Sequence, residues 1–287
     1  MRIAALVMVM VMCGTAGAEE DGTPALGGEG VLYEGSNPPR FAFMGPKAHV
    51  SPKTLKAVLD VEYPAYSLSD EVTARQVEAM STDKNAYWIT ADLTEFVIGC
   101  GMEPCPPPPP PPPARAHASF LWRRVSKDWE LVAFAVAPTY PGKAQAAGIK
   151  QGLMPEAIAK RVDAGAEDAV KLFETTIGDP KAFAATVSTR KDVVLFGNEP
   201  AERTVGGAKV KAKLEAWKLA FKVRDGIQAG PAGKGVVWIA ANVDSTSTKK
   251  PKDKPVPYRL FAIYEKTGAD WKLVHANFAY IGPAPKE

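Results

Sequence analysis

The sequence predicts an α+β fold in two tandem units, each a curved antiparallel sheet with helices packed on one face. Three observations predict it. The first is an internal echo. Val236-Val237-Trp238-Ile239-Ala240-Ala241-Asn242 is matched by Ala86-Tyr87-Trp88-Ile89-Thr90-Ala91-Asp92, and Trp271-Lys272-Leu273-Val274-His275-Ala276-Asn277-Phe278 by Trp129-Glu130-Leu131-Val132-Ala133-Phe134. Between the tryptophans of each copy lies another matching strand, Ser119-Phe120-Leu121-Trp122-Arg123-Arg124 in the first and Tyr258-Arg259-Leu260-Phe261-Ala262-Ile263-Tyr264-Glu265 in the second. The first copy is longer by about the proline run 106–113, so the echo reads as a repeat with an insertion, and its long period means two domains, not a solenoid. The second observation is order: in the later half, helical spacings come first and alternating strands follow, which segregates helices to one face of a meander. The third is capacity. A chain of 287 residues, 46% apolar, can bury two cores.

Residues 1–18 read as a secretory signal. Arg2 supplies the positive end, Ile3 to Met12 an apolar run too short for a bilayer span, and Ala16-Gly17-Ala18 the small-residue cleavage pattern. Cys13 raises a lipoprotein alternative, but Met12 stands where a small residue is wanted, so the reading is cleavage after Ala18. The expectation is a bacterial periplasmic or secreted protein. Residues 19–30 are acidic and Gly-rich and read as a disordered N-terminus.

The first domain is placed at 31–140. Val31-Leu32-Tyr33 reads as a strand, in possible correspondence with Val194-Leu195-Phe196, and Ser51-Pro52 as the start of a short helix reaching Asp60. Val72 to Val77 and Ala86 to Leu93 read as paired strands, with Thr82-Asp83-Lys84-Asn85 as their turn. The prolines 106–113 cannot join a sheet or helix, and read as a stiff loop between strands. Cys100 and Cys105 flank a turn-forming insert; export permits a disulfide between them, with two free surface thiols as the alternative. Residues 116–125 and 129–137 read as the closing strands, and 141–154, Pro/Gly-containing and rich in small residues, as the linker.

The second domain is placed at 155–287. Ile158, Val162, Ala166, Ala169 and Phe173 recur at helical spacing, which predicts a helix over 155–176. Asp179-Pro180 is a cap with proline at the first helical position. Asp192 to Phe196 predicts a strand, and Gly206-Gly207 leads into a helix carrying Val210, Leu214 and Trp217 on one face. Four strands are expected at 222–229, 235–243, 257–266 and 270–281.

These features, from the long first helix through Asp179-Pro180, Asp192-Val193-Val194-Leu195-Phe196 and Gly206-Gly207 to the closing Trp271-to-Phe278 strand, resemble the nuclear transport factor 2-like superfamily, which includes SnoaL-like and ketosteroid-isomerase-like proteins. The resemblance covers 155–282 well and 31–138 partially, so the first copy reads as degenerate. It implies two cone-shaped domains, and a sheet-to-sheet contact that two fused copies could make within one chain, leaving a monomer with an intramolecular pseudo-dimer. It also implies a conical pocket. Alternation puts Trp271, Leu273, His275 and Asn277 on one face; if that face lines the cone, Trp238, Tyr258, His275 and Asn277 are the ligand-facing candidates. The alternative is that His275 is a buried, internally bonded side chain.

The isomerases of this superfamily use an aspartate base with a tyrosine and a protonated aspartate. No such set can be placed here: Asp192, Asp225 and Asp244 stand at strand ends or turns, and Tyr258, Tyr264 and Tyr280 on strands. No catalytic residue is assigned, and no cofactor or metal is expected. Gly230-Pro231-Ala232-Gly233-Lys234-Gly235 lacks the Ser or Thr and the helix of a phosphate loop, and reads as a hairpin turn. A net charge of +3 without a single-sign block argues against a nucleic-acid partner, and Lys249-Lys250-Pro251-Lys252-Asp253-Lys254 reads as a solvated hairpin tip. No later stretch reads as a membrane span. The function expected is an exported, non-catalytic binding or interaction module taking a small apolar ligand or a protein partner. The alternative is an isomerase- or cyclase-type enzyme using the second cone.

Overall fold

The computed structural model of the chain describes residues 7–10, 31–34, 65–67, 77–93, 116–126, 128–139, 157–250 and 252–280. Cys100, Cys105, the prolines 106–113, the linker 141–154, the expected 51–60 helix and the cleavage site after Ala18 lie outside these residues.

Three short strands, β1 (Val7–Met10), β2 (Val31–Glu34) and β3 (Ala65–Ser67), form an antiparallel sheet in that order. A four-stranded meander follows: β4 (Val77–Met80), β5 (Ala86–Leu93), β6 (Ala116–Val125) and β7 (Asp128–Pro138). After it come β8 (Arg161–Val162), helix α1 (Glu167–Thr176), helix α2 (Pro180–Ala185), β9 (Val194–Phe196), β10 (Arg203–Val205) and helix α3 (Gly207–Trp217). Four long strands follow: β11 (Leu219–Pro231), β12 (Val236–Ser247), β13 (Val256–Thr267) and β14 (Asp270–Tyr280). The later strands make one seven-stranded sheet, ordered β10-β9-β14-β13-β12-β11-β8. The expected α+β character, with antiparallel meanders and few helices, is present.

The long strands, the 82–85 turn and α2 fall where the sequence puts them. Asp179 caps α2, its carboxylate accepting from the backbone N–H groups of Lys181 and Ala182 at 2.8 and 3.2 Å. The expected helix over 155–176 does not form as a single element. Arg161 and Val162 pair in parallel with Gln228 and Ala229, Gly165 turns the chain at φ +92°, and α1 starts only at Glu167. Helical spacing thus holds from Ala169 to Phe173, while Ile158 packs between the sheets. The strand expected over 72–77 is described only from Val77 onward. The correspondence of Val31–Tyr33 with Val194–Phe196 is not kept: β2 pairs antiparallel with β1 and β3, whereas β9 runs parallel to β14.

The two meanders share a register. Trp88 pairs with Leu121 and Leu121 with Ala133; at matching positions Trp238 pairs with Ile263 and Ile263 with His275. The turns agree as well: Arg124 N–H donates to Asn85 O at 2.8 Å, and Lys266 N–H to Gly235 O at 2.7 Å. Each closing strand carries a bulge at the same place. Trp122 pairs with Leu131 but Leu121 with Ala133, and Tyr264 pairs with Leu273 but Ile263 with His275. Val132 and Val274 are the extra residues, so alternation restarts beyond them.

The bulge sets the layers. On one face of the large sheet Val237, Ile239, Leu260, Tyr264, Leu273 and Phe278 pack with Phe173, Phe183 and Leu214 of the helices. On the other, Trp238, Ala240, Phe261, Ile263 and Val274 share a cluster with Trp88, Leu121 and Ala133 of the β4–β7 sheet. The molecule therefore stacks helices, large sheet and small sheet. Close approach is visible at Gly233 (φ +122°), where an added Cβ would lie 3.0 Å from Asn85 O.

Candidate functional site

The polar groups singled out in the sequence lie between the two sheets. Because Val274 is an extra residue, His275 and Asn277 fall on the opposite face from Trp271 and Leu273. The expectation that these four share one face is corrected by the bulge. Trp238 lies on the inter-sheet side with His275 and Asn277, and Tyr258 on the helix side, edge-on to Tyr280 at 6.0 Å between centroids. The structure brings three of the four ligand-facing candidates to one face and leaves Tyr258 on the other.

His275 is fully buried and both ring nitrogens are engaged. Nδ1 lies 2.9 Å from Val194 O, a carbonyl that can only accept, so Nδ1 carries the proton. Nε2 lies 2.7 Å from the Ser119 hydroxyl of the small sheet and accepts from it. Burial pushes the imidazole down to about 3, helped by His117 nearby and opposed by the Val194 carbonyl. The ring is neutral at ordinary pH and sits edge-on to Phe196, centroids 5.7 Å apart.

Phe196 stacks its other side on His117 at 4.3 Å. His117 Nδ1 lies 3.0 Å from the Asp92 carboxylate, and Nε2 lies 3.2 Å from Glu199 O. Asn277 is the least satisfied member: its amide N–H is 3.5 Å from His117 O, and Oδ1 has no hydrogen-bond partner among the described residues. At the other end of the interface, Arg190 donates to both oxygens of Asp192, to Glu265 at 2.7 Å and to Met80 O at 2.8 Å, and its guanidinium carbon lies 5.2 Å from the Trp88 ring centroid. The hydrogen bond to Asp192 leads in raising its pKa. Glu265 also accepts from Thr82 N–H and Oγ1 at 2.6 and 2.9 Å.

Sequence reasoning missed Ser119, His117, Arg190 and Glu265 as members of this interface. One signal was available. His117 and Ser119 alternate with Ala118 and Phe120, which marks one face of β6 as polar and in need of partners.

The carboxylates do not converge. Asp192 is bonded to Arg190, Asp225 accepts from the Asn242 amide at 2.9 Å, and Asp244 is paired with Arg224. On the helix side, burial holds the Tyr264 phenol well above its ordinary range, and neighbouring Thr186 offsets this only in part. Among the described residues no group of three or more His, Cys, Asp or Glu side chains could hold a metal. No described helix is long and apolar enough to cross a membrane.

No protein-family model matches the chain. No curated protein matches it either. Solved structures do. A candidate ketosteroid isomerase from Parabacteroides distasonis is 18% identical over 43% of this chain and 91% of its own, with a TM-score of 0.35. A nuclear transport factor 2-like protein of unknown function from Pseudomonas putida is 14% identical over 39% and 82%, with a TM-score of 0.32. A candidate calcium/calmodulin-dependent protein kinase II association domain from Xanthomonas campestris is 19% identical over 47% and 100%, with a TM-score of 0.37. Nuclear transport factor 2-like and ketosteroid-isomerase-like proteins are among its structural neighbours.

Proposed function

We propose that this chain is an exported, non-catalytic binding or interaction protein. In this reading it consists of two tandem SnoaL-like units, the first degenerate, docked sheet against sheet as an intramolecular pseudo-dimer. The shared register and the bulge at Val132 and Val274 support the duplication. The observation that carries the non-catalytic reading is the state of His275: buried, neutral, and bonded at both nitrogens to groups of the chain itself. A general base needs a free lone pair within reach of a substrate proton, and this one is taken by Ser119. The three aspartates named above are likewise bonded within the chain.

Native mass spectrometry of the purified chain, followed by incubation with whatever apolar molecule it retains, tests the proposal. Recovery of the molecule unaltered is expected. Its conversion into an isomer or a cyclised product overturns the non-catalytic reading.

A further inference from the structure

The hairpin tip between β12 and β13 does not stand alone. Thr248, at its base, donates both its N–H and its hydroxyl to Lys218 O, at 2.9 and 3.0 Å, which fixes the tip against the C-terminal end of α3. Inside the tip Lys250 N–H donates to Ser247 O and Asp253 N–H to Lys250 O, both at 3.1 Å. Lys218 is thereby joined to Lys249, Lys250, Lys252 and Lys254, and Lys222 follows on β11; all six are exposed. None of the six forms an ion pair with a described residue. Asp244, opposite Lys222 in the ladder, is paired with Arg224.

Within 218–222 and 249–254 six lysines therefore stand with one aspartate, Asp253; the nearest acid before them on α3 is Glu215, also exposed. That is a local excess of five positive charges in a chain whose total is +3. The remainder of the chain is net negative, so the molecule carries a charge asymmetry that turns this end toward an anionic partner. The cations are all lysines, point charges without the planar fork that grips a phosphate or a base edge bidentately, and they stand on the β12–β13 connection and the chain beside it. Such an arrangement suits a broad anionic surface. We infer that the Lys218–Lys222 and 249–254 end of the molecule docks peripherally on the headgroups of an anionic lipid bilayer.

The test is co-sedimentation of the full chain with vesicles of phosphatidylcholine, alone or with about 30% phosphatidylglycerol. The expected result is partitioning onto the anionic vesicles alone, lost as salt rises toward about 0.5 M. Replacing Lys249, Lys250, Lys252 and Lys254 by Gln lowers that partitioning by about tenfold or more. A charge-matched control, with the exposed Lys160, Lys171, Lys181 and Lys234 replaced by Gln, retains most of it. The inference is overturned by three outcomes: no binding to anionic vesicles at low salt, an equal loss in the control, or retention of an acidic protein or a nucleic acid in place of the vesicles.

Discussion

Ser119 and His275, 156 residues apart in sequence, share a buried 2.7 Å hydrogen bond that joins the two sheets. Removing the hydroxyl leaves Nε2 without a donor in a site that water does not reach. Ser119→Ala should therefore lower stability by about 1–3 kcal/mol, read as the shift in urea-unfolding midpoint at neutral pH. An unchanged midpoint would show that the bond contributes nothing.

The neutral imidazole also sets an acid limit. Its native pKa is depressed to about 3 from an ordinary 6.5. Protonation therefore favours the unfolded chain. The stability is fully present above pH 6.5 and is lost as pH falls toward 3, on the order of 4 kcal/mol over that window. His275→Gln keeps an acceptor for Ser119 and cannot take the proton. Its unfolding free energy should fall less steeply below pH 6.5, by about 1.4 kcal/mol per pH unit. Equal slopes for the two proteins would refute the assignment.

Arg190 balances the Glu265 carboxylate, which is 4% exposed. Arg190→Met leaves that charge with Thr82 alone. The expected cost is about 2–3 kcal/mol, discounted for the partial exposure of Arg190 and Asp192. Pairing it with Glu265→Gln should recover part of the loss. A double variant as unstable as the sum of the singles would mean that the two residues are uncoupled.

Gly233 lies against Asn85, where one hairpin turn meets the other. Gly233→Ala combines a disfavoured φ with a methyl group 3.0 Å from Asn85 O, and should cost about 1–3 kcal/mol. Gly165→Ala, at φ +92°, is also outside the left-handed well but meets nothing within 4 Å. Thermal unfolding of the two variants separates strain from contact: the shift should be larger for Gly233.

The long strands and the α2 cap were legible because each is written locally, in alternation of period two and in Asp179-Pro180. The candidate site was less so. Counting by twos along Trp271, Leu273, His275 and Asn277 assumes an unbroken pleat, and Val274 breaks it without any residue type that announces a bulge. Only the recurrence of Leu-Val at 131–132 and 273–274 hinted that the interruption is built into both strands. The start of α1 was misread for a related reason. Ile158 and Val162 are apolar because they meet a sheet, and a sheet and a helix ask for the same residue type. Cross-chain partners such as Ser119 for His275 follow from the sheet stacking, which single-strand patterns do not encode.

The stacking of the two sheets also has a history in time. The β4–β7 strands emerge from synthesis long before β12–β14, which complete their cover. Until then Trp88, Leu121 and Ala133 have no opposing layer. Contacts this distant along the chain form slowly, because a long loop must close before they contribute. An unfinished chain thus presents an apolar sheet with open edges, the kind of surface on which neighbouring chains pair wrongly. Truncation within β13 or β14 would remove Phe261, Ile263 or Val274 from the cover of the β4–β7 sheet. Strands β12–β14 are therefore the earlier sheet's own shield, made after it.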